Sequence, residues 1–178
     1  VRVPGFEADD IMGTLAKKGE QEGLQVVIVS GDKDMMQMIS PSIRMLDTMK
    51  NKWFGSDDVV EKFGVTPDRV IDVMGLMGDS SDHIPGVKGV GPKTASELIK
   101  KFGSIAELYE RVEEVDKKKL KEKLVQDKEM ALLSRKLVTL NTSMDLEFEF
   151  ADLVLKPSND IELKNLFSEF EFSSLLGE

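Results

Sequence analysis

The chain has 178 residues, enough for one domain with a small appendage. Its 40% hydrophobic and 32% charged content is that of an ordinary globular protein, not a disordered one. With no cysteine and a single histidine, His83, disulfides, thiolate zinc sites and Cys catalysis are excluded, and a His-rich metal site or a Ser-His-Asp triad is disfavoured.

The sequence has no apolar run long enough to span a bilayer and no signal-peptide pattern, so the expectation is a cytoplasmic location with no membrane partner. The net charge of −9 is unevenly spread. From His83 to Lys101 the local charge is +3, and from Lys117 to Leu124 it is +4, whereas Met144 to Glu178 carries −7. A basic middle between acidic ends allows a DNA-binding face beside a cation-seeking one. The opening Val1-Arg2-Val3-Pro4-Gly5 lacks an initiator methionine and reads as part of a longer protein.

In chain order, Pro4-Gly5 is a turn and Phe6 to about Glu22 a helix, with Ala8, Ile11, Met12 and Leu15 at helical spacing and Gly23 as its stop. Glu7, Asp9 and Asp10 fall in its first turn, where acids also simply complement the helix dipole. Gln25 to Ser30 is a β-branched apolar run expected to be a buried parallel strand. It leads to Asp32 and Asp34 at a strand's carboxyl end, where open α/β sheets place their sites, followed by a short helix from Met35 to Ile39. One of these Asp residues can equally be an N-cap. Ile43–Leu46 and Lys52–Phe54 read as strands, the second at an edge. Ser56 is expected to cap a helix ending at Gly64, and Thr66-Pro67 to open another that runs to Gly78.

Gly78-Asp79-Ser80-Ser81-Asp82 then sets two carboxylates three residues apart in a loop, and Gly86-Val87-Lys88-Gly89-Val90-Gly91-Pro92-Lys93-Thr94 turns into a helix ending at Gly103. Backbone N–H groups in such a glycine-rich turn suit a phosphate. A short helix is expected from Ile105 to Val112, then one long helix from Lys118 to about Val138 with Leu120, Leu124, Leu133 and Leu137 inward. Leu146, Phe148 and Phe150 alternate like a strand, and Asp160 caps a last helix with Leu163, Leu166, Phe167 and Phe170 on one side. The ten methionines fit core positions.

Three acidic groups therefore sit at helix starts or strand ends: Glu7/Asp9/Asp10, Asp32/Asp34 and Asp79/Asp82. If they converge, their mutual repulsion calls for cations, and hard ions such as Mg²⁺ or Mn²⁺ take oxygen ligands. Two such ions about 3.5–4 Å apart can drive phosphodiester hydrolysis.

Phe6-Glu7-Ala8-Asp9-Asp10, Ser30-Gly31-Asp32-Lys33-Asp34, Leu76-Met77-Gly78-Asp79-Ser80-Ser81-Asp82 and Ile84-Pro85-Gly86-Val87-Lys88-Gly89-Val90-Gly91-Pro92-Lys93-Thr94-Ala95 together resemble the 5′-nuclease (flap endonuclease) family, in the branch formed by the N-terminal nuclease domains of bacterial DNA polymerases. The resemblance covers nearly the whole chain. It implies an α/β, Rossmann-like (PIN/5′-nuclease-like) core, truncated at its N-terminus, with a helical region carrying a helix–two-turn–helix (helix-hairpin-helix) motif. The implied divisions are a nuclease core over 1–78, the metal loop and hairpin over 79–110, and a helical part over 111–178.

The resemblance further implies Glu7, Asp9, Asp10, Asp32, Asp34, Asp79 and Asp82 as ligands of two or more Mg²⁺ or Mn²⁺ ions, with Asp10, Asp32, Asp34, Asp79 and Asp82 catalytic. Gly86, Lys88, Gly89, Gly91, Lys93 and Thr94 would grip duplex DNA without reading sequence, and carbonyls near Val87 and Val90 would hold K⁺. The expected activity is 5′→3′ exonuclease and 5′-flap cleavage, with water as nucleophile. The expected partners are a 5′-flap or nicked duplex, the missing N-terminal part of the same domain and a following polymerase domain. The family's first strands and helical arch are absent, so this chain alone would be weak or inactive, and a purely DNA-binding module is the alternative. His83 stands where bacterial relatives usually carry Asn.

Overall fold

The computed structural model describes residues 3–147 and 150–176. Residues 1–144 and 145–178 form two compact units.

The first unit is mixed α/β. Helix α1 (Ala8–Gln21) leads into β1 (Val26–Val29), and a 3₁₀ turn (Lys33–Met38) connects to β2 (Ile43–Asp47), followed by β3 (Lys52–Phe54). The sheet order is β1-β2-β3, with β1 parallel to β2 and β3 antiparallel at the edge. Parallel pairing puts the end of β1 and the loop after it at one rim of the sheet.

The sheet is apolar on one face only. Ile28, Ile43 and Met45 are buried, while Val27 and Val29 are 47% and 59% exposed. The continuous Val-rich run of β1 is therefore not a strand buried on both faces. In this chain the helices and the 3₁₀ turn pack on one side, and the other side presents Val27, Val29 and the Arg44–Trp53 cation–π pair.

Helix α2 (Ser56–Phe63) starts one residue earlier than a Ser56 cap would allow. Gly55 is the N-cap, and its N–H donates to the Asp58 carboxylate at 2.9 Å. Gly64, at φ 73°, ends it as expected. Helix α3 (Val70–Met77) is apolar nearly all round, which is the pattern of a central helix. Val70, Val73, Met74 and Leu76 are fully buried, each contributing roughly 1.5–3 kcal/mol of burial. Met35, Met36, Met38 and Met45 join the same core, as their spacing suggested.

Helices α4 (Pro92–Phe102) and α5 (Ile105–Glu110) pack beside α3. The expected helix to Val112 stops at Glu110 and continues as a 3₁₀ turn over Val112–Glu114. The expected long helix is two: α6 (Lys118–Gln126) and α7 (Lys128–Val138), broken at Asp127. The buried positions stay in phase across the break, and it is the expected Leu133 and Leu137 that fall on the opposite face from Leu124. Leu124 remains inside, but Leu133 and Leu137 are exposed, and Ala131, Ser134 and Val138 face inward instead. Small residues suit that face because α7 lies very close to α3: a Cβ on Gly75 would stand 2.9 Å from the Arg135 Cα. Arg135 Nε donates to the buried Asp72 carboxylate at 2.7 Å, which locks the pair.

The second unit holds a 3₁₀ turn (Phe150–Leu153), α8 (Asp160–Glu169) and a terminal 3₁₀ turn (Ser173–Leu175). Phe150 opens a helical turn instead of ending a strand, and Phe148 and Glu149 lie outside the described residues. Asn159, not Asp160, caps α8, accepting from the Glu162 N–H. None of its side chains is buried: Leu163, Leu166 and Phe170 are exposed, so the expected inward stripe is not formed in this unit.

Candidate metal centre and nucleic-acid interface

The carboxylates gather because three chain segments end at the same rim. Asp32 is the N-cap of the 3₁₀ turn; its Oδ1 accepts from the Asp34 N–H at 2.9 Å, and its own N–H donates to Ser30 Oγ at 3.0 Å. The capping reading of Asp32 is thus correct, and it leaves Asp34 projecting into the rim. Glu7 is the N-cap of α1 but makes no side-chain capping bond, so its carboxylate is not used locally.

Asp79 and Asp82 ride on a loop closed upon itself. Asp79 N donates to Ile84 O at 2.8 Å, and Ile84 N returns to Asp79 O at 2.7 Å. The closure requires glycines: Gly78 and Gly86 both take positive φ, and a Cβ on Gly86 would lie 2.6 Å from the Met77 carbonyl carbon. His83 also sits at φ 57°, a left-handed position that Asn fills comfortably.

Asp34, Asp79 and Asp82 bring carboxylate oxygens within 4.8 Å of one another. A cleft of about 240 Å³ is lined by the acids Glu7, Asp9, Asp32, Asp34 and Asp82 and by the apolar Ile84, Leu137, Val138 and Leu140. Asp10 stands next to Asp9, and its Oδ1 accepts from the Asn141 N–H at 2.8 Å. Six of the seven candidate acids line the cleft or join the converging trio, and the seventh, Asp10 of α1, is held to the segment around Asn141.

The electrostatics match the crowding. Burial, reinforced by Asp32, Asp79 and Asp82, pushes the Asp34 carboxyl up to about 6. Its Oδ1 is buried and has no hydrogen-bond partner. Burial together with Asp32, Glu7, Asp10 and Asp82 also raises Asp9. Asp79 behaves oppositely. Burial acts to raise it, but the Lys33 ammonium at 2.5 Å and the Ser81 amide at 2.9 Å outweigh that and hold it below the ordinary range.

These residues fit a hard divalent cation. The donors are all carboxylate oxygens, they converge, and one is buried without a partner, a costly state unless a cation completes it. Asp34, Asp79 and Asp82 could hold one ion, with Glu7, Asp9 and Asp32 lining the adjoining cleft.

The apolar wall escaped sequence reading. Gln37 ties it down: its Nε2 donates to Val138 O at 2.9 Å and its Oε1 accepts from Leu140 N at 3.1 Å. Thr14 Oγ1 donates to Asn141 O at 3.1 Å. A polar Gln inside a Met-rich turn was the available signal, but nothing in the sequence names its partner a hundred residues away.

The glycine-rich turn expected to grip DNA follows the Asp79–Ile84 loop directly. Gly86 is buried and its N–H donates to Ser134 Oγ at 3.0 Å, so it anchors the turn from within. Val87 and Val90 are buried, and Val90 N donates to Val87 O at 3.0 Å. Lys88, Gly89, Gly91 and Lys93 are exposed, and Thr94 half-buried. Lys88 N donates to Asp127 Oδ2 at 3.0 Å, so the residue between α6 and α7 also holds this turn. Gly91 is the N-cap of α4 and Pro92 its first residue, so no amide is wasted at that position.

Residues 1–64 match the family described as 5′-3′ exonuclease, N-terminal resolvase-like domain, and residues 65–161 match 5′-3′ exonuclease, C-terminal SAM fold. The chain is 43% identical over 175 residues to DNA polymerase I of Rhizobium leguminosarum, covering 98% of this chain and 17% of that protein. It is 39% identical over 178 residues to a 5′-3′ exonuclease of Aquifex aeolicus, covering all of this chain and 60% of that one. It thus spans under two thirds of the length of either relative. Its fold is similar to that of T5 5′-exonuclease bound to divalent zinc ions, with TM-score 0.73 and 25% identity over 79% of this chain and 52% of that one. With the two family descriptions running from residue 1 to residue 161, the chain belongs to the 5′-3′ exonuclease family.

Proposed function

We propose that this chain is the metal-binding and DNA-gripping part of a 5′→3′ exonuclease and 5′-flap endonuclease that cleaves DNA phosphodiesters with two Mg²⁺ or Mn²⁺ ions. The observation that carries the reading is the meeting of acids from three distant segments in one cleft, next in the chain to a glycine hairpin. The divalent ions, when bound, would supply Lewis-acid stabilisation of charge developing on the scissile phosphate.

The remaining work falls to the chain itself. Asp34, Asp79 and Asp82, with Glu7, Asp9, Asp10 and Asp32, fix the positions of the cations. Ile84, Leu137 and Leu140 give the cleft its apolar lining and limit the water around the reacting phosphate. The exposed amides and side chains at Lys88, Gly89, Gly91, Lys93 and Thr94 hold the duplex by its phosphates, which makes the grip insensitive to base sequence. The Val87 and Val90 carbonyls are assigned a monovalent ion such as K⁺ at that turn. The relatives named DNA polymerase I support a polymerase domain in the parent protein.

The test is a 5′-flap duplex incubated with the purified chain, with Mg²⁺ or with chelator. The expected outcome is slow, metal-dependent release of 5′ products that disappears with Asp32→Ala. Duplex binding without any product would favour a non-catalytic DNA-binding module. Neither binding nor cleavage would overturn the reading.

A further inference from the structure

Lys33 lies between two of the candidate ligands, and its ammonium stands 2.5 Å from Oδ2 of a third, Asp79, forty-six positions further along the chain. Asp79 is 6% exposed, so its charge is poorly served by water. Its Oδ1 is engaged by the Ser81 N–H, and Oδ2 is the oxygen that Lys33 covers. Asp79 is also one of the three carboxylates whose oxygens converge within 4.8 Å. A cation is thus paired with one of the three converging carboxylates.

We propose that Lys33 is the resident cation of the cleft: its ammonium occupies Asp79 Oδ2 in the metal-free protein, and a divalent ion must displace it to use that oxygen. The inference rests on the metal reading of the cleft given above. The backbone at Lys33 need not move for the exchange. Asp32 pins the start of the turn, while the lysine side chain is long, flexible and about a third exposed, so it can withdraw into water. The arrangement trades affinity for stability. Lys33 keeps the empty, crowded cleft folded, and every metal ion that binds works against it. Lys62 is the natural comparison. It feels the charges of Asp32 and Asp34 through space but forms no ion pair among the described residues, so it adds positive potential without covering a ligand atom.

The test is calorimetric titration of Mn²⁺ into the metal-stripped full chain, for wild type, Lys33→Met, Lys33→Gln, Lys33→Arg and Lys62→Met, with thermal melts in chelator. Lys33→Met and Lys33→Gln should bind Mn²⁺ about tenfold more tightly than wild type, melt lower in chelator, and gain more from saturating Mn²⁺. Lys33→Arg, which keeps a cation, should restore near-wild-type affinity, and Lys62→Met should shift it by less than about threefold. Two variants at Lys33 guard against one failing to fold. Equal or weaker Mn²⁺ binding by the Lys33 variants, or the same gain in Lys62→Met, overturns the proposal while leaving the metal reading intact. A wild-type chain that takes up no Mn²⁺ removes both.

Discussion

The carboxylate cleft and the glycine hairpin adjoin in sequence but are built on opposite principles. The cleft collects like charges from segments that begin at residues 7, 32 and 79, and it is electrostatically unfavourable until cations arrive: Asp34 and Asp9 are pushed upward and Asp34 Oδ1 has no partner. The hairpin is local, spanning little more than residues 86–94, and is fixed by sterics. Gly86 and Gly89 adopt left-handed conformations that other residues resist, and its buried amide and valines satisfy each other or Ser134. One region stores repulsion that a ligand relieves; the other is complete before any ligand binds. The cleft should therefore respond strongly to divalent metal and pH, and the hairpin to neither of these.

The largest expected effect is at the point the two regions share. Gly86→Ala forces a side chain onto a left-handed residue and against the Met77 and Leu76 carbonyls. It should cost about 3 kcal/mol and lower the melting temperature by roughly 6–12 °C. Because the same closure holds Asp79, Mn²⁺ uptake and duplex binding should fall together. Loss of only one of them would show that the regions are independent after all.

The next effect separates them. Asp34 has a folded-state value of about 6, raised above its ordinary 3.8, so its contribution favours folding below the unfolded value and is lost as pH rises through about 6. In chelator, urea stability should therefore decline between about pH 4 and pH 7 by roughly 1 kcal/mol, a figure reduced for partial solvent screening. Asp34→Asn should remove that decline and weaken Mn²⁺ binding. A wild-type profile in Asp34→Asn would mean that the repulsion lies elsewhere.

On the hairpin, Lys93→Ala should reduce the slope of log affinity against log salt by about 1 for unrelated duplexes alike, with Mn²⁺ titration unchanged. A loss confined to one sequence would point to base reading. The smallest effect is at His83. Replacement by Asn in its left-handed conformation should stabilise by about 0.5 kcal/mol, seen as a rise of one or two degrees in melting temperature. A drop of similar size would mean that the imidazole makes a contact worth more than the backbone relief.

Much of the molecule is written locally and could be read from residue order. The Thr66-Pro67 opening, the Gly64 and Gly103 stops and the Gly91-Pro92 helix start all lie where the sequence places them, because each depends only on the conformation of one or two residues. The three acidic groups and the hairpin were legible for the same reason: their residue types are improbable together unless they bind something. What the sequence could not contain was the partner of each side chain. Asp127, between α6 and α7, accepts from the Lys88 amide, thirty-nine positions back. Ala131, Ser134 and Val138 take the inward places, and Leu133 and Leu137 face out. Gln37 and the 138–141 strap wall the cleft, and Lys33 pairs with Asp79, forty-six positions further along. These outcomes compare energies between residues tens of positions apart. Only the packed chain brings such groups within a few ångströms, where burial and Coulomb forces decide between them.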